Sequence, residues 1–202
     1  MSEATVPKEN DKVIFITKDS TIAEYDKATG ALSAKTITYP NDGAKISTGF
    51  MYNRKLYLVD TAHQQIYKHS LTQTGYDKGS AWVKDASVNL TNAVSIAVDG
   101  DVFVLNKNGE ILKLVGGEKQ AFAIVGLEPP LKAPTFIWTY NNINNLYILE
   151  PDAKRVVVTD KDGKFIGQYT TAEWKHPTAM SVDTDKKVIY ILDDNKIYKF
   201  GI

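Results

Sequence analysis

Five short stretches of the chain repeat one pattern of apolar and polar positions. They read Val13-Ile-Phe-Ile-Thr17, Leu56-Tyr-Leu-Val-Asp60, Val102-Phe-Val-Leu-Asn106, Leu146-Tyr-Ile-Leu-Glu150 and Ile189-Tyr-Ile-Leu-Asp193. Each is an almost unbroken apolar run closed by a polar residue, which predicts a strand buried on both faces. Counted from the aromatic residue of each run (Phe15, Tyr57, Phe103, Tyr147, Tyr190), the spacings are 42, 46, 44 and 43 residues. A second β-rich run follows each one: Thr21–Tyr25, Gln65–Lys68, Glu110–Leu114, Arg155–Thr159 and Lys196–Phe200. Turn formers such as Asn108-Gly109, Pro151-Asp152 and Asp194-Asn195 lie in the connections. Third runs are read at Leu32–Tyr39, Ala81–Lys84, Gln120–Val125 and Lys164–Thr170, and a longer connection leads to runs at Lys45–Tyr52, Ala93–Asp99, Pro134–Tyr140 and Pro177–Asp183. No stretch sustains a 3.6-residue period, and no helix of consequence is predicted.

Four antiparallel strands per period make a sheet too short to cover its own two apolar faces. Stacking such sheets radially covers them, and a period of roughly 40–50 residues is that of a propeller blade. The predicted fold is therefore all-β, a β-propeller of about five four-stranded antiparallel units. The reading gives 18 strands. The first unit is expected to lack an inner strand, because Glu3–Asn10 is a poor strand candidate, and the last stops at Gly201-Ile202 before an outer strand. Both end units are thus expected to be incomplete, in an open, partial or atypically closed ring. A larger parent propeller chain, or self-association, is the expectation that goes with it. Residues 1–11 are read as a polar N-terminal tail and 12–202 as the propeller domain.

The second half of the chain resembles a known repeat. The segment Pro134-Thr-Phe-Ile, Asn145-Leu-Tyr-Ile-Leu-Glu150, Arg155-Val-Val-Val-Thr159 is similar to an NHL-repeat blade, and His176-Pro-Thr-Ala-Met-Ser-Val-Asp183, Val188-Ile-Tyr-Ile-Leu-Asp193, Lys196-Ile-Tyr-Lys-Phe200 repeats it. The likeness is strongest over 134–200 and looser over 13–85. It implies architecture rather than a reaction, and six-bladed lactonase-like propellers and WD40 proteins share the same order of strands.

Composition narrows the chemistry. The 24 Lys and Arg balance the 24 Asp and Glu among 202 residues, and the basic residues are scattered, so no nucleic-acid partner is expected. The longest apolar stretch, Ala121–Leu127, is far short of the roughly 20 residues that span a bilayer, and no membrane insertion by this segment is expected. The polar N-terminus has no apolar signal core. That reads as cytoplasmic for a complete protein and as extracytoplasmic for a segment of a membrane-anchored parent. With no cysteine there is no disulfide framework, thiolate metal site or cysteine nucleophile. The three histidines, His63, His69 and His176, lack metal-site spacing. Asp160-x-Asp162-Gly163 opens like a calcium loop, but Lys164 and Thr171 stand where oxygen ligands are required, so a hairpin turn is the reading. Nucleophile-elbow and phosphate-loop motifs are absent.

The polar residue that ends each buried run (Thr17, Asp60, Asn106, Glu150, Asp193) is placed to bond turn amides, and capping is its first explanation. Phe136, Trp138 and Tyr140 alternate on one face, toward either the central channel or a neighbouring blade. Trp174 and His176 lie in the connection Thr171–Pro177, and His63 lies in a turn at the same strand end. Loops on a rigid scaffold carry recognition, so His63, Glu150, Trp174 and His176, with Trp138 in the channel, are the expected ligand-binding residues. The expected function is a non-enzymatic binding or scaffold module whose loop face contacts a protein, peptide or glycan, with no cofactor. The alternative is a propeller-type lyase or lactonase holding a divalent metal in the central channel.

Overall fold

A computed structural model describes residues 3–5 and 12–202, with side chains from residue 12 onward. Five antiparallel sheets follow one another along the chain. The first comprises β1 (Glu3–Thr5), β2 (Lys12–Ile16), β3 (Ile22–Asp26) and β4 (Leu32–Lys35). The second holds β5 (Ile46–Tyr52), β6 (Lys55–Asp60), β7 (Gln65–Ser70) and β8 (Ser80–Ala81). The third holds β9 (Ala93–Val98), β10 (Val102–Asn106), β11 (Ile111–Val115) and β12 (Glu118–Gln120). The fourth holds β13 (Phe136–Trp138), β14 (Asn145–Glu150), β15 (Arg155–Asp160) and β16 (Phe165–Thr170), and the fifth β17 (Pro177–Asp183), β18 (Val188–Asp193) and β19 (Lys196–Gly201). Every strand pairs with its sequence neighbour, and the sheets form a five-bladed β-propeller without helices among the described residues.

The repeat period marks the second strand of each sheet, and these five strands carry the largest share of the core. In the middle three sheets their two faces are both covered: in β6, Leu56 and Leu58 pack toward the first sheet while Tyr57 and Val59 pack toward the third. At roughly 1.5–3 kcal/mol for each fully buried large apolar side chain, these inter-sheet layers dominate the stabilisation. Register corrects one anchor. Ile16 pairs with Ile22 as Val59 pairs with Ile66, so Ile14, not Phe15, is the counterpart of Tyr57, and the first spacing becomes 43 residues. Phe15 points to the other face.

The first sheet has the inner strand that the sequence reading denied it. Glu3–Thr5 pairs with Ile14–Ile16, a three-residue ladder built from backbone bonds without an apolar alternation to announce it. The rest of the stretch 1–11, read as a tail, lies outside the described residues. The fifth sheet lacks an outer strand, as expected.

The outer strands of the first three sheets are shorter than predicted because each leaves its own sheet to cross onto the next. Thr36 bridges Gly75, the Lys84 N–H reaches the Gly117 carbonyl (2.9 Å), and the Val125 N–H reaches the Gly163 carbonyl (2.9 Å). The contact is close enough to require glycine: a Cβ would sit 2.1 Å from the Thr36 oxygen at Gly75, 2.3 Å from that of Trp82 at Gly117 and 2.2 Å from that of Ala123 at Gly163.

Inner strands touch in the order β1, β5, β9, β13, β17. The core clusters join sheets one to two, two to three to four, and four to five, and among the described residues none joins five to one. Ile197 and Leu192 of the fifth sheet are 71% and 39% exposed, whereas their register counterparts Ile66 and Val59 are fully buried. Among the described residues the five blades form an arc with an open side.

Candidate functional site

Turns that follow the buried second strands and connections that enter the inner strands lie on one end of the blades. Carboxylates bind the two together. Asp60 Oδ1 accepts the N–H of Lys45 (2.8 Å) and of Ala62 (3.0 Å). Glu150 Oε1 accepts those of Lys132 (2.6 Å) and Ala133 (3.2 Å), and Asp193 those of Lys175 and His176. All three side chains are buried, so each removes orphan amides from a loop that no ladder holds. Gln64 ties two blades, donating to the Thr61 carbonyl (2.6 Å) and accepting the Leu90 N–H (2.6 Å). This end of the molecule is a fixed surface made of loops.

Its most elaborate polar group centres on Asp60, which has no exposed surface. Besides the two amides, its Oδ2 contacts His63 Nδ1 at 2.6 Å and accepts the Tyr67 hydroxyl at 2.9 Å, and Asn41 Nδ2 donates to that hydroxyl at 2.9 Å. Burial by itself raises the Asp60 carboxyl, but the Lys45 amide, His63, Tyr67 and the Ala62 amide outweigh it and hold the group below the ordinary carboxylate range. Tyr67 is pushed up to about 12, first by burial and then by its bond to Asp60. A carboxylate oxygen only accepts, so Nδ1 carries the proton of this contact, which orients the ring and leaves Nε2 as its other polar atom. With 32% of its side chain exposed, His63 presents an oriented imidazole on the loop face. Such a group can offer Nε2 to a hydrogen-bonding ligand.

The other expected residues are placed differently. Glu150 is consumed by its two amides and by Arg155, whose Nε and second terminal nitrogen both approach Oε2 at 2.7 Å. Arg155 also donates to the carbonyls of Pro129 (2.9 Å) and Pro130 (3.2 Å), so the buried pair clasps the connection. Trp174 is fully buried, edge-on to Phe200 (5.4 Å between centroids) and to Tyr198 (6.5 Å), and belongs to the packing between sheets four and five. His176 is 78% exposed, with Nδ1 3.4 Å from Asp194. Trp138 is half-buried, stacked on Tyr140 (6.4 Å, 15°) and tilted on Tyr147 (6.3 Å) of its own blade, and packs against the core clusters on both sides of that blade. His63 and His176 thus stand exposed on the loop face, while Glu150 and Trp174 hold it together. Tyr67 and Asn41 escaped the sequence reading. Alternation in the second run does place Tyr67 opposite Ile66, but nothing local announces that Asn41 closes on its hydroxyl.

Among the described residues no three His, Asp or Glu side chains converge into a set that could hold a metal ion. No helix is long and apolar enough to cross a membrane among them.

The fold defines the chain as a β-propeller. No protein-family model matches its sequence, and comparison with curated proteins finds no match. Solved structures do match in shape. A chain of the nidogen–laminin complex superposes with a TM-score of 0.70 at 13% identity, over 94% of this chain and 73% of that one. A candidate 6-phosphogluconolactonase from Bacteroides uniformis gives 0.63 at 17%, over 100% and 67%. The computationally designed Ika8 protein gives 0.60 at 13%, over 96% and 56%. At such identities the likeness concerns the fold.

Proposed function

We propose that this chain is a non-enzymatic, NHL-like binding module that presents its loop face to a protein, peptide or glycan partner. The observation that carries the reading is the His63–Asp60 pair: a partly exposed imidazole oriented by a buried carboxylate, on loops whose backbone is already tied down. Recognition by such a face loses little ordering entropy, because the loops are set before the partner arrives. His63 and His176 are the contacts of this reading, and Glu150 and Trp174 act by holding the loops. The shared fold with a chain of a protein–protein complex supports it as an analogy of architecture. The lactonase-like alternative draws the same kind of support from a second neighbour, but it has no converging set of metal ligands behind it among the described residues.

Peptide and glycan arrays probed with the purified chain test the proposal. The expected result is a binder whose signal falls about tenfold in His63→Ala at unchanged melting temperature. Binders indifferent to His63 and His176, or arrays with none while the chain opens gluconolactone substrates, would overturn it.

A further inference from the structure

Gln65 and Glu110 hold the same position in successive blades, one residue before Ile66 and Ile111, which pair with Val59 and Leu105. In the second blade Gln65 clamps the outer chain. Its Oε1 accepts the N–H of Trp82 (3.1 Å) and Val83 (2.6 Å), and its Nε2 donates to the Val83 carbonyl (3.1 Å). The Trp82 N–H also reaches the Ile66 carbonyl (2.9 Å), and its ring sits edge-on to Tyr57 at 6.2 Å.

The matching segment of the third blade is Phe122–Ala123, with Phe122 edge-on to Phe103 at 6.1 Å. Here the ladder stops at Lys113 and Gln120, two residues short of that level. Glu110 instead accepts from Asn106 Nδ2 (3.2 Å) and pairs with Lys119 (3.7 Å). A carboxylate only accepts, so it has no donor for the Ala123 carbonyl to match the bond from Gln65 to Val83. The outer chain stands off, and a cleft of about 300 Å³ opens between it and β11, lined by Ile111, Phe122, Leu127 and Leu131 with Glu110 at its polar edge. A shallower hollow of about 510 Å³ continues past Glu110 to Lys119 and Asp162.

We propose that this cleft binds an extended peptide that adds to the free edge of β11. Three observations fix that occupant. The Ile66 carbonyl takes a main-chain N–H in the second blade, so the matching Ile111 carbonyl faces the cleft and continues an existing ladder. The carboxylate of Glu110, acceptor-only and half-exposed, complements the N–H groups of a peptide backbone. The second blade displays the bonded form of the same site, in which the Trp82 and Val83 amides reach the Ile66 carbonyl and Gln65. The ligand class is therefore a β-strand peptide, bound at the rim of the third blade through its main chain and apart from His63.

A capped peptide copied from residues 78–85 of this chain, Lys-Gly-Ser-Ala-Trp-Val-Lys-Asp, is the probe, titrated into the full chain by calorimetry. Saturable binding is expected. N-methylation of the peptide's Trp and Val amides is expected to weaken it about tenfold with every side chain kept. Ala123→Trp, which fills the cleft from its exposed wall, is expected to weaken it as much at unchanged melting temperature. No saturation by about 1 mM, or equal affinity of the N-methylated peptide, would overturn the proposal whether or not the variant folds. Equal affinity of a folded Ala123→Trp would place the peptide elsewhere and overturn it too.

Discussion

A Cβ on Gly163 would meet the carbonyl oxygen of Ala123 at 2.2 Å, and the same intrusion recurs between Gly117 and Trp82 at 2.3 Å. Both glycines have positive φ, +94° at Gly117 and +93° at Gly163. Alanine there suffers twice, from the backbone conformation and from a clash with main chain that cannot rotate away. Gly163→Ala and Gly117→Ala are each expected to cost about 2–4 kcal/mol in denaturant unfolding. Gly116, with φ +60° and nothing within 4 Å of an added methyl, is the control, expected to lose about 1 kcal/mol. Equal losses at Gly116 and Gly117 would show that the crossing of outer strands does not constrain the turn.

Trp174 and His176 are two residues apart, yet one is sealed in the core and the other is open to water. Trp174→Ala is expected to lose about 3–5 kcal/mol. Trp174→Phe should lose far less, because the indole N–H has no partner to forfeit. His176→Ala should fall within about 0.5 kcal/mol of the parent. Thermal melts of the three variants decide it. An unharmed Trp174→Ala would return this residue to the loop surface.

The contrast also marks what a sequence of this kind discloses. The buried second strands are legible because each is apolar on both faces, a pattern that a strand between two sheets satisfies. Ile14 is hidden because Phe15 carries the aromatic signal one position along, and only register against Ile22 separates them. Outer strands read too long at Tyr39, Lys84 and Val125, since their apolar run continues after the chain has crossed to the next blade. Of the site, the polar cap at Asp60 and the exposed turn at His63 can be read from position alone. Tyr67 and Asn41 meet across 26 residues, and that contact depends on how the connection folds back.

The open side of the arc predicts unequal tolerance at two equivalent isoleucines. Ile66 is sealed between sheets two and three, while Ile197 has 71% of its surface in water. Ile66→Lys buries a charge without a partner and is expected to cost more than about 4 kcal/mol. Ile197→Lys should change stability by no more than about 0.5 kcal/mol. A large loss at Ile197 would mean that another surface covers the fifth sheet.

His69 gives the chain an acid sensitivity of its own. Its side chain is fully buried, Nδ1 bonds the Asp77 carbonyl at 2.9 Å, and Nε2 has no partner. Burial pushes the imidazole below its ordinary 6.5, against the opposing pull of the Asp77 carbonyl and carboxylate. The unfolded chain therefore takes up a proton here first. Stability contributed by the neutral ring is complete above about pH 6.5 and declines as pH falls below it, by at most about 1.4 kcal/mol per unit, until the depressed folded value is reached. The carboxylates of Asp60 and Asp77 are held below 3.8, so their loss comes at lower pH. Urea unfolding from pH 7.5 to 4.5 should show a slope that His69→Gln removes; an identical slope in the variant would acquit this residue.

Glu110→Gln tests why the outer chain of the third blade stands away from β11. The substitution preserves shape and supplies the amide donor that Gln65 uses on Val83. It also gives up the ion pair with Lys119, which is surface-exposed and worth at most about 1 kcal/mol. If the carboxylate is what prevents closure, the new amide should draw Phe122 and Ala123 onto Ile111 and extend the ladder past Gln120. Two or three main-chain bonds at about 1 kcal/mol each exceed the lost pair, so stability should rise by about 1–2 kcal/mol. Amide hydrogen exchange at Phe122 and Ala123 should slow in the variant as those N–H groups enter the ladder. A stabilised variant with unchanged exchange would trace the gain to relief of charge alone, and a destabilised one would show that Glu110 holds the blade through Lys119 and Asn106.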